Sequence, residues 1–363
     1  MTNRMPKTKS PTVADVAREA NVSKAQAARA LGGYGAVSEE VHKLVHQAAL
    51  KLGYRPNELA RSMNTGRSNT IGVIVGDIEN PHFGLALRGI ADVARQSGYH
   101  LLLSNSDEQL EEEQEAVRVM MEKRVDGIIV VPCSSAANDN QHLAQIIADG
   151  KALVLFDRAV HGLGVATISV DFTDTAQEAT RLMLDGGHRR IAYVTSMRCE
   201  EPWRYPEDLG PTPVAQRLAG MEKAFLEAGV PFDTSLIKAN AVDDAAIARI
   251  VAELWESASP PTALVASDSL IAMSLLRELT QRGLRIPDDL SFIMYDNFPW
   301  TEIVTPPLSV VAQPVYEMGR EAARHVIAQI RQEPLTDRVE FTARLLVRGS
   351  VVPCADKSGN AGR

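Results

Sequence analysis

The stretch PTVADVAREANVSKAQAARALGG, Pro11 to Gly33, holds two helix starts eleven residues apart. Thr12 followed by Asp15 is a capping-box pattern, in which the hydroxyl accepts from a first-turn N–H and the carboxylate reaches back to the cap's own N–H. It predicts a helix over Val13 to Ala20, with Val13, Val16, Ala17 and Ala20 on one face. Ser23 followed by Gln26 repeats the pattern and opens Lys24 to Leu31, which stops at Gly32-Gly33. Two short helices with a tight turn between them read as a helix-turn-helix. A third helix begins at Ser38 and carries Val41, Leu44, Val45, Ala48 and Leu52 before Gly53, the apolar stripe on which the first two pack.

The charge is divided to match. Residues 1–67 hold eleven Lys/Arg against five Asp/Glu, a net of +6, whereas the other 296 residues carry −14 and the whole 363-residue chain −8. A basic head on an acidic body is the asymmetry of a nucleic-acid module joined to another function. In a helix-turn-helix the second helix enters the major groove by its N-terminal end. Lys24, Ala25, Gln26 and Arg29 are therefore the candidate DNA contacts, with Thr12 and Ser23 beside phosphate at helix N-termini. Arg29 is the strongest reader, because a guanidinium bonds guanine bidentately. A plain solvated bundle, with Lys24 at most on phosphate, is the alternative.

Beyond Gly53, Pro56 disfavours helix at Arg55, and Asn57 caps a short segment through Ala60, Arg61 and Met63 to Gly66. Eight residues do not hold a helix alone in water. The segment is expected to order against DNA or its own copy, with Ala60 allowing close approach and Met63 wedging a minor-groove step; a plain linker is the other reading. The resulting division is a basic N-terminus at 1–10, a DNA-binding head at 11–56, a hinge and linker at 57–69, a body at 70–350 and a polar tail at 351–363.

From Thr70 onward, strands alternate with helices in the manner of parallel sheets. Strands are expected at Thr70–Val75, His100–Ser104, Gly127–Val131, Ala152–Phe156, Thr167–Val170, Ile191–Thr195, Leu236–Asn240, Ala263–Ser267, Ser291–Tyr295, Ser309–Gln313 and Arg344–Arg348. The fold class is α/β and doubly wound. The apparent restart near Asp171 implies two lobes with a cleft between them, and ligands of such sheets lie beyond the carboxyl ends of the strands. Those ends carry Asp77, His82 and Phe83, then Asp157-Arg158, Asp268, and Asp296-Asn297. Carboxylates, an arginine and an aromatic face suit a hydroxyl-rich ligand such as a sugar. Asp157-Arg158 is also readable as a local ion pair, and Asp268 as the cap of the next helix.

Other chemistries find no support. Cys133, Cys199 and Cys354 form no CxxC pair, and His82, His161 and His188 have no metal-ligand spacing. Gly162-Leu163-Gly164 is a turn, and no nucleophile elbow, P-loop or HExxH motif occurs, so neither an enzyme nor a cofactor is expected. Apolar runs are strand-length and no secretory signal is readable, which points to the cytoplasm and away from a membrane.

The run Pro11 to Ser23, Ala27-Ala-Arg29, and Gly53-Tyr-Arg-Pro-Asn-Glu-Leu-Ala-Arg-Ser-Met63 resemble the lactose/galactose repressor family. So do Asn80-Pro-His-Phe83, Lys123-Arg-Val-Asp-Gly127, Gly187-His188, Gln216-Arg-Leu-Ala-Gly220 and Ser267-Asp268. The likeness continues through Gly283-Leu-Arg-Ile-Pro287, Tyr295-Asp-Asn297, Thr305-Pro-Pro-Leu308 and Gln313-Pro314. The resemblance implies a homodimer on a pseudo-palindromic operator, a hinge helix at about Asn57 to Asn64, and a sensor like periplasmic sugar-binding proteins. It also implies that His82, Phe83, Asp157, Arg158, Arg217, Asp268, Asp296 and Gln313 bind the effector.

Departures from the family pattern are visible. Gln26-Ala27-Ala28-Arg29 stands where Thr-Val-Ser-Arg is common, Met63 where Leu is usual, and Ala241 or Val242 where a pocket aromatic is often found. The connection from Thr195 to Arg217 is longer than usual and holds Pro202, Trp203, Tyr205, Pro206, Pro211 and Pro213. Trp203 or Tyr205 is therefore expected at the cleft mouth in place of that aromatic, a surface excursion being the alternative. The function expected is a ligand-controlled transcriptional regulator, most simply a repressor. Its rivals are a regulator of the same fold answering to a protein partner and a sugar-binding transport protein.

Overall fold

The computed structural model describes residues 11–54, 66–199, 205–206, 209, 212–334 and 338–354. Expectations for 1–10, for the hinge residues Asn57, Ala60, Arg61 and Met63, for Trp203, and for 355–363 lie outside the described residues. The chain divides into two units, residues 1–70 with 123–126, and the remainder.

In the first unit both capping boxes close. Thr12 and Asp15 cap α1 (Val13–Glu19), and Ser23 and Gln26 cap α2 (Lys24–Gly32), which ends at Gly33 in the left-handed conformation. Ser38 caps α3 (Glu39–Leu52). The core is built largely from alanine, Ala17, Ala20, Ala27, Ala30, Ala48 and Ala49, around Val16 and Val45. Small side chains let three short helices approach closely. Leu44, expected in the stripe, is instead 43% exposed. The buried row runs Val45, Ala48, Ala49, and the 3.6-residue period turns position 44 outward.

The second unit contains two six-stranded sheets. Its elements are β1 (Thr70–Val75), α4 (Pro81–Gln96), β2 (His100–Asn105), α5 (Leu110–Glu122), β3 (Gly127–Val130), α6 (Gln141–Ala148), β4 (Ala152–Phe156) and β5 (Thr167–Asp171). There follow α7 (Thr173–Asp185), β6 (Ile191–Val194), α8 (Pro213–Glu227), β7 (Ile237–Lys238), α9 (Asp244–Trp255), β8 (Ala263–Ala266), α10 (Ser269–Gln281), β9 (Ser291–Tyr295) and α11 (Trp300–Ile303). The last are β10 (Ser309–Ala312), α12 (Val315–Arg331), β11 (Arg338–Thr342) and β12 (Arg344–Leu346). The strand orders are β11-β5-β4-β3-β1-β2 and β12-β10-β9-β8-β6-β7. β12 runs antiparallel to β10, while β10 is parallel to β9.

The chain crosses between lobes at Phe172, at Gln313-Pro314 and at Ala343. After the first crossing α7 packs on β10 and β12 of the second sheet, and after the second α12 packs on β3, β4 and β5 of the first. Helix packing at two places rests on glycine. A Cβ at Gly319 of α12 would lie 2.1 Å from the Ala86 carbonyl oxygen, and one at Gly220 of α8 would lie 2.2 Å from that of Thr173.

Three strand expectations are corrected. Arg338–Thr342 is a strand that the sequence reading passed over; it pairs with β5 at the sheet edge, and its alternation rests on two apolar residues alone, Val339 and Phe341. The strand expected over Leu236–Asn240 is only Ile237–Lys238, because Leu236 closes a 3-10 turn and Asn240 has φ +58°. The last strand stops at Leu346, and Arg348 leaves the sheet to donate to Asn297 Oδ1, Glu302 Oε1 and the Leu308 carbonyl.

Candidate nucleic-acid interface and ligand cleft

On the head, burial sorts α2 into two faces. Ala27 and Ala30 are buried, whereas Lys24, Ala25, Gln26 and Arg29 are exposed. That leaves the expected reading face free. Gln26 is partly committed, since its Oε1 accepts the Ser23 N–H at 3.0 Å while the Ser23 hydroxyl accepts the Gln26 N–H at 3.1 Å. The Thr12 hydroxyl likewise donates to Asp15 Oδ2 at 2.7 Å.

Between the lobes lies a cleft of about 620 Å³, and all eight sequence-expected effector residues line it. Equivalent corners of the two sheets supply its central carboxylates. Asp157 follows β4 with φ +67° and Asp296 follows β9 with φ +76°. In each case the backbone N–H donates to the adjacent strand, Asp157 to Ile168 and Asp296 to Val311, both at 2.9 Å. Aspartate tolerates this left-handed geometry better than most residues, and such strain concentrates at functional sites.

Asn80 caps α4 with its side-chain oxygen on the His82 N–H, and Pro81 begins the helix, so His82 and Phe83 enter the cleft from the first turn. His82 Nδ1 stands 3.5 Å from Asp296 Oδ1, and Gln313 Nε2 donates to the same oxygen at 2.6 Å. Burial by itself pushes the His82 imidazole pKa down, but Asp296, aided by Asp157, outweighs it and holds the value above the ordinary 6.5.

Arg217 projects from the second turn of α8. Its guanidinium carbon lies 4.2 Å from the Phe172 ring centre and 4.0 Å from that of Tyr295, and Nη1 donates to the Ser267 carbonyl at 2.8 Å. Cation–π contact with both rings compensates part of the cost of burial. Asp268 is both cap and cleft residue: Oδ1 accepts the Leu270 and Ile271 N–H groups at 3.0 Å, and burial pushes its carboxyl pKa up. Arg158 forms a fork with Glu108, at 2.5 and 2.8 Å, donates to the Pro132 carbonyl, and pairs more loosely with Asp157 at 3.5 Å. Both local readings of Asp157-Arg158 and Asp268 therefore coexist with a place in the cleft.

Three buried polar atoms of these residues have no partner: His82 Nε2, Arg217 Nε and Gln313 Oε1. Buried polar groups are overwhelmingly hydrogen-bonded in folded proteins. All three residues line the same cavity, so a polar group placed there would meet unsatisfied partners.

Tyr205 is a correction, for it is absent from the cleft lining. Its hydroxyl donates to Glu222 Oε2 at 2.6 Å and its ring meets Phe232 edge-on at 5.5 Å, an apolar cluster that draws the ring away from the mouth. Ala241 and Val242 line the cleft where the aromatic was missed, with Met197 and Arg198 from the start of the long loop. Sequence reasoning also missed Glu108 and the edge-to-face Phe172–Tyr295 pair against which Arg217 lies. Glu108 stands fifty residues from the arginine it neutralises, and no local pattern announces that pairing.

A helix-turn-helix unit and a two-lobed α/β unit with a polar cleft are the two parts of a DNA-binding transcriptional regulator. Residues 12–57 match the bacterial regulatory proteins of the lacI family, and residues 180–351 match the periplasmic binding protein-like domain. Catabolite control protein A of Priestia megaterium is 31% identical over 338 residues, covering 91% of this chain and 98% of its own. The ribose operon repressor of Bacillus subtilis is 33% identical over 327 residues, 90% of this chain and 94% of its own. A solved LacI family transcriptional regulator from Enterococcus faecium with bound ribose superposes with a TM-score of 0.65 at 27% identity, covering 78% of this chain and 99% of that one. The chain belongs to the lacI family of bacterial transcriptional regulators, and like the repressors it resembles it is not an enzyme. Among the described residues no helix is long and apolar enough to cross a membrane.

Proposed function

We propose that the protein is a repressor that binds a pseudo-palindromic operator as a homodimer and whose operator affinity is set by a sugar or sugar derivative in the cleft. Lys24, Ala25 and Arg29 meet base edges, Thr12, Ser23 and Gln26 hold the helix starts against phosphate, and Asn57, Ala60, Arg61 and Met63 form the hinge contact with the minor groove. Two heads on one dimer bind tightly because the second docks at high effective concentration. Ligand closure of the lobes changes the spacing of the heads.

The observation that carries the effector reading is the set of unpartnered atoms on His82, Arg217 and Gln313 around Asp157, Asp268 and Asp296. The name of the Bacillus subtilis relative and the ribose in the Enterococcus faecium structure support a sugar as the ligand class.

The test begins with operator selection from random DNA, followed by thermal-shift screening against pentoses, hexoses, disaccharides, sugar alcohols and nucleosides. A ligand bound only by the folded state raises the melting temperature. A sugar that does so is expected to change affinity for the selected DNA by about 5- to 150-fold. Selected DNA bound normally with no shift from any of these compounds would transfer control to a protein partner.

A further inference from the structure

The cleft is lined by seven carboxylates and three guanidiniums, and the guanidiniums differ in what they leave free. Arg158 spends its donors on Glu108, Asp157 and the Pro132 carbonyl. Arg217 lies against two rings that meet edge to face and gives one Nη1 hydrogen to the Ser267 carbonyl, while its buried Nε–H has no partner. Arg198 is exposed. Against these stand Asp77, Glu79 and Asp107, half-buried or exposed on the first lobe, none of them paired with a cation among the described residues. The half-buried Asp268 has no cation partner either, its oxygens being held by backbone N–H groups and the Ser267 hydroxyl.

The hydrogen-bonding inventory has the same bias. Acceptors at the cavity include the Gln313 Oε1 orphan and the carboxylates, while the buried donor atoms without any partner are Arg217 Nε and, in its protonated form, His82 Nε2. Hydroxyls and ammonium groups donate to such a wall. Phosphate and carboxylate only accept, and they bring charge of the sign the wall already carries.

We infer that the cleft selects its effector by charge: it takes a hydroxylated ligand, neutral or bearing a protonated amine, and rejects the same skeleton carrying phosphate or carboxylate, with Asp77, Glu79 and Asp107 as the residues that enforce the rejection. This deepens the sugar reading above and rests on it.

Matched series test it on the full-length protein: glucose, glucosamine, glucose 6-phosphate and gluconate; galactose, galactosamine and galacturonate; ribose and ribose 5-phosphate. In the series that binds, the neutral and amino members are expected to raise the melting temperature, and the anionic member to bind about 100-fold or more weakly. The variant Asp77→Asn/Glu79→Gln/Asp107→Asn is expected to raise affinity for the anionic counterpart relative to the neutral sugar. An anionic member that stabilises the protein as well as its neutral parent overturns the inference while leaving the regulator reading intact. Unaltered rejection by the triple variant overturns the assignment to those three residues. If no member of any series binds, the sugar reading itself fails and the charge inference fails with it.

Discussion

His82, from the first turn of a helix on one lobe, and Asp296, from a strand end on the other, face each other at 3.5 Å with both side chains buried. The pair links the two lobes across the cleft. Asp157 and Arg217 are the other charged groups acting on the imidazole, the first reinforcing protonation and the second opposing it.

A pH dependence follows from the raised imidazole pKa. Protonated His82 is favoured in the folded state, so its contribution to stability is complete below the ordinary value of 6.5 and is lost as pH rises through the higher folded value. Urea midpoints between pH 5.5 and 8.5 should show this loss in the wild type and a flatter profile in His82→Gln. Identical profiles would remove the linkage.

Arg217 is buried against two rings, with no carboxylate of the described residues paired to it. A buried charge with no paired carboxylate carries a desolvation cost that an apolar side chain of similar length does not. Arg217→Met is expected to shift the melting temperature by only a few degrees while lowering effector affinity by about 10- to 100-fold, the worth of a charge-assisted hydrogen bond. Calorimetric titration beside thermal melts separates the two effects, and an unchanged affinity would place the side chain in structure alone.

Gly319 is a packing position. A methyl group there meets the Ala86 backbone oxygen at 2.1 Å, and backbone cannot swing aside as a side chain can. Gly319→Ala should cost about 1–3 kcal/mol, the usual penalty for overpacking. Denaturant unfolding measures it, and a variant as stable as wild type would mean that the two helices separate freely.

Arg29→Ala should leave binding to random DNA nearly intact and relax preference at one or two positions of each half-site, because a bidentate arginine–guanine contact discriminates by about 1–3 kcal/mol. Repeating the operator selection with the variant reads this directly. Full retention of the wild-type consensus would reassign Arg29 to the phosphate backbone.

How far the sequence reached depends on how local each feature is. Thr12 with Asp15 and Ser23 with Gln26 close their caps within one helical turn, so residue identity at a spacing of three was sufficient. Asp157 and Asp296 were legible because parallel sheets place every strand's carboxyl end on one edge, where ligands lie. Leu44 misled because one apolar residue beside a buried row does not reveal which side of the row faces the core. Tyr205 misled because a long loop's direction depends on what it packs against, here Phe232 and Glu222.

The sequence by itself determined the local and periodic features: the helix-turn-helix head, the alternation of strand and helix, the two-lobed plan, and the strand ends that line the cleft. Tertiary structure alone decided which polar groups remain free there. Glu108 folds against Arg158 and consumes its charge, Phe172 and Tyr295 close on Arg217, and His82 meets Asp296 across the lobes. Each of these contacts joins residues at least forty positions apart. Propensity and spacing act within a few residues along the chain, whereas neutralisation and desolvation depend on distances that exist only once both sheets and their crossings are in place.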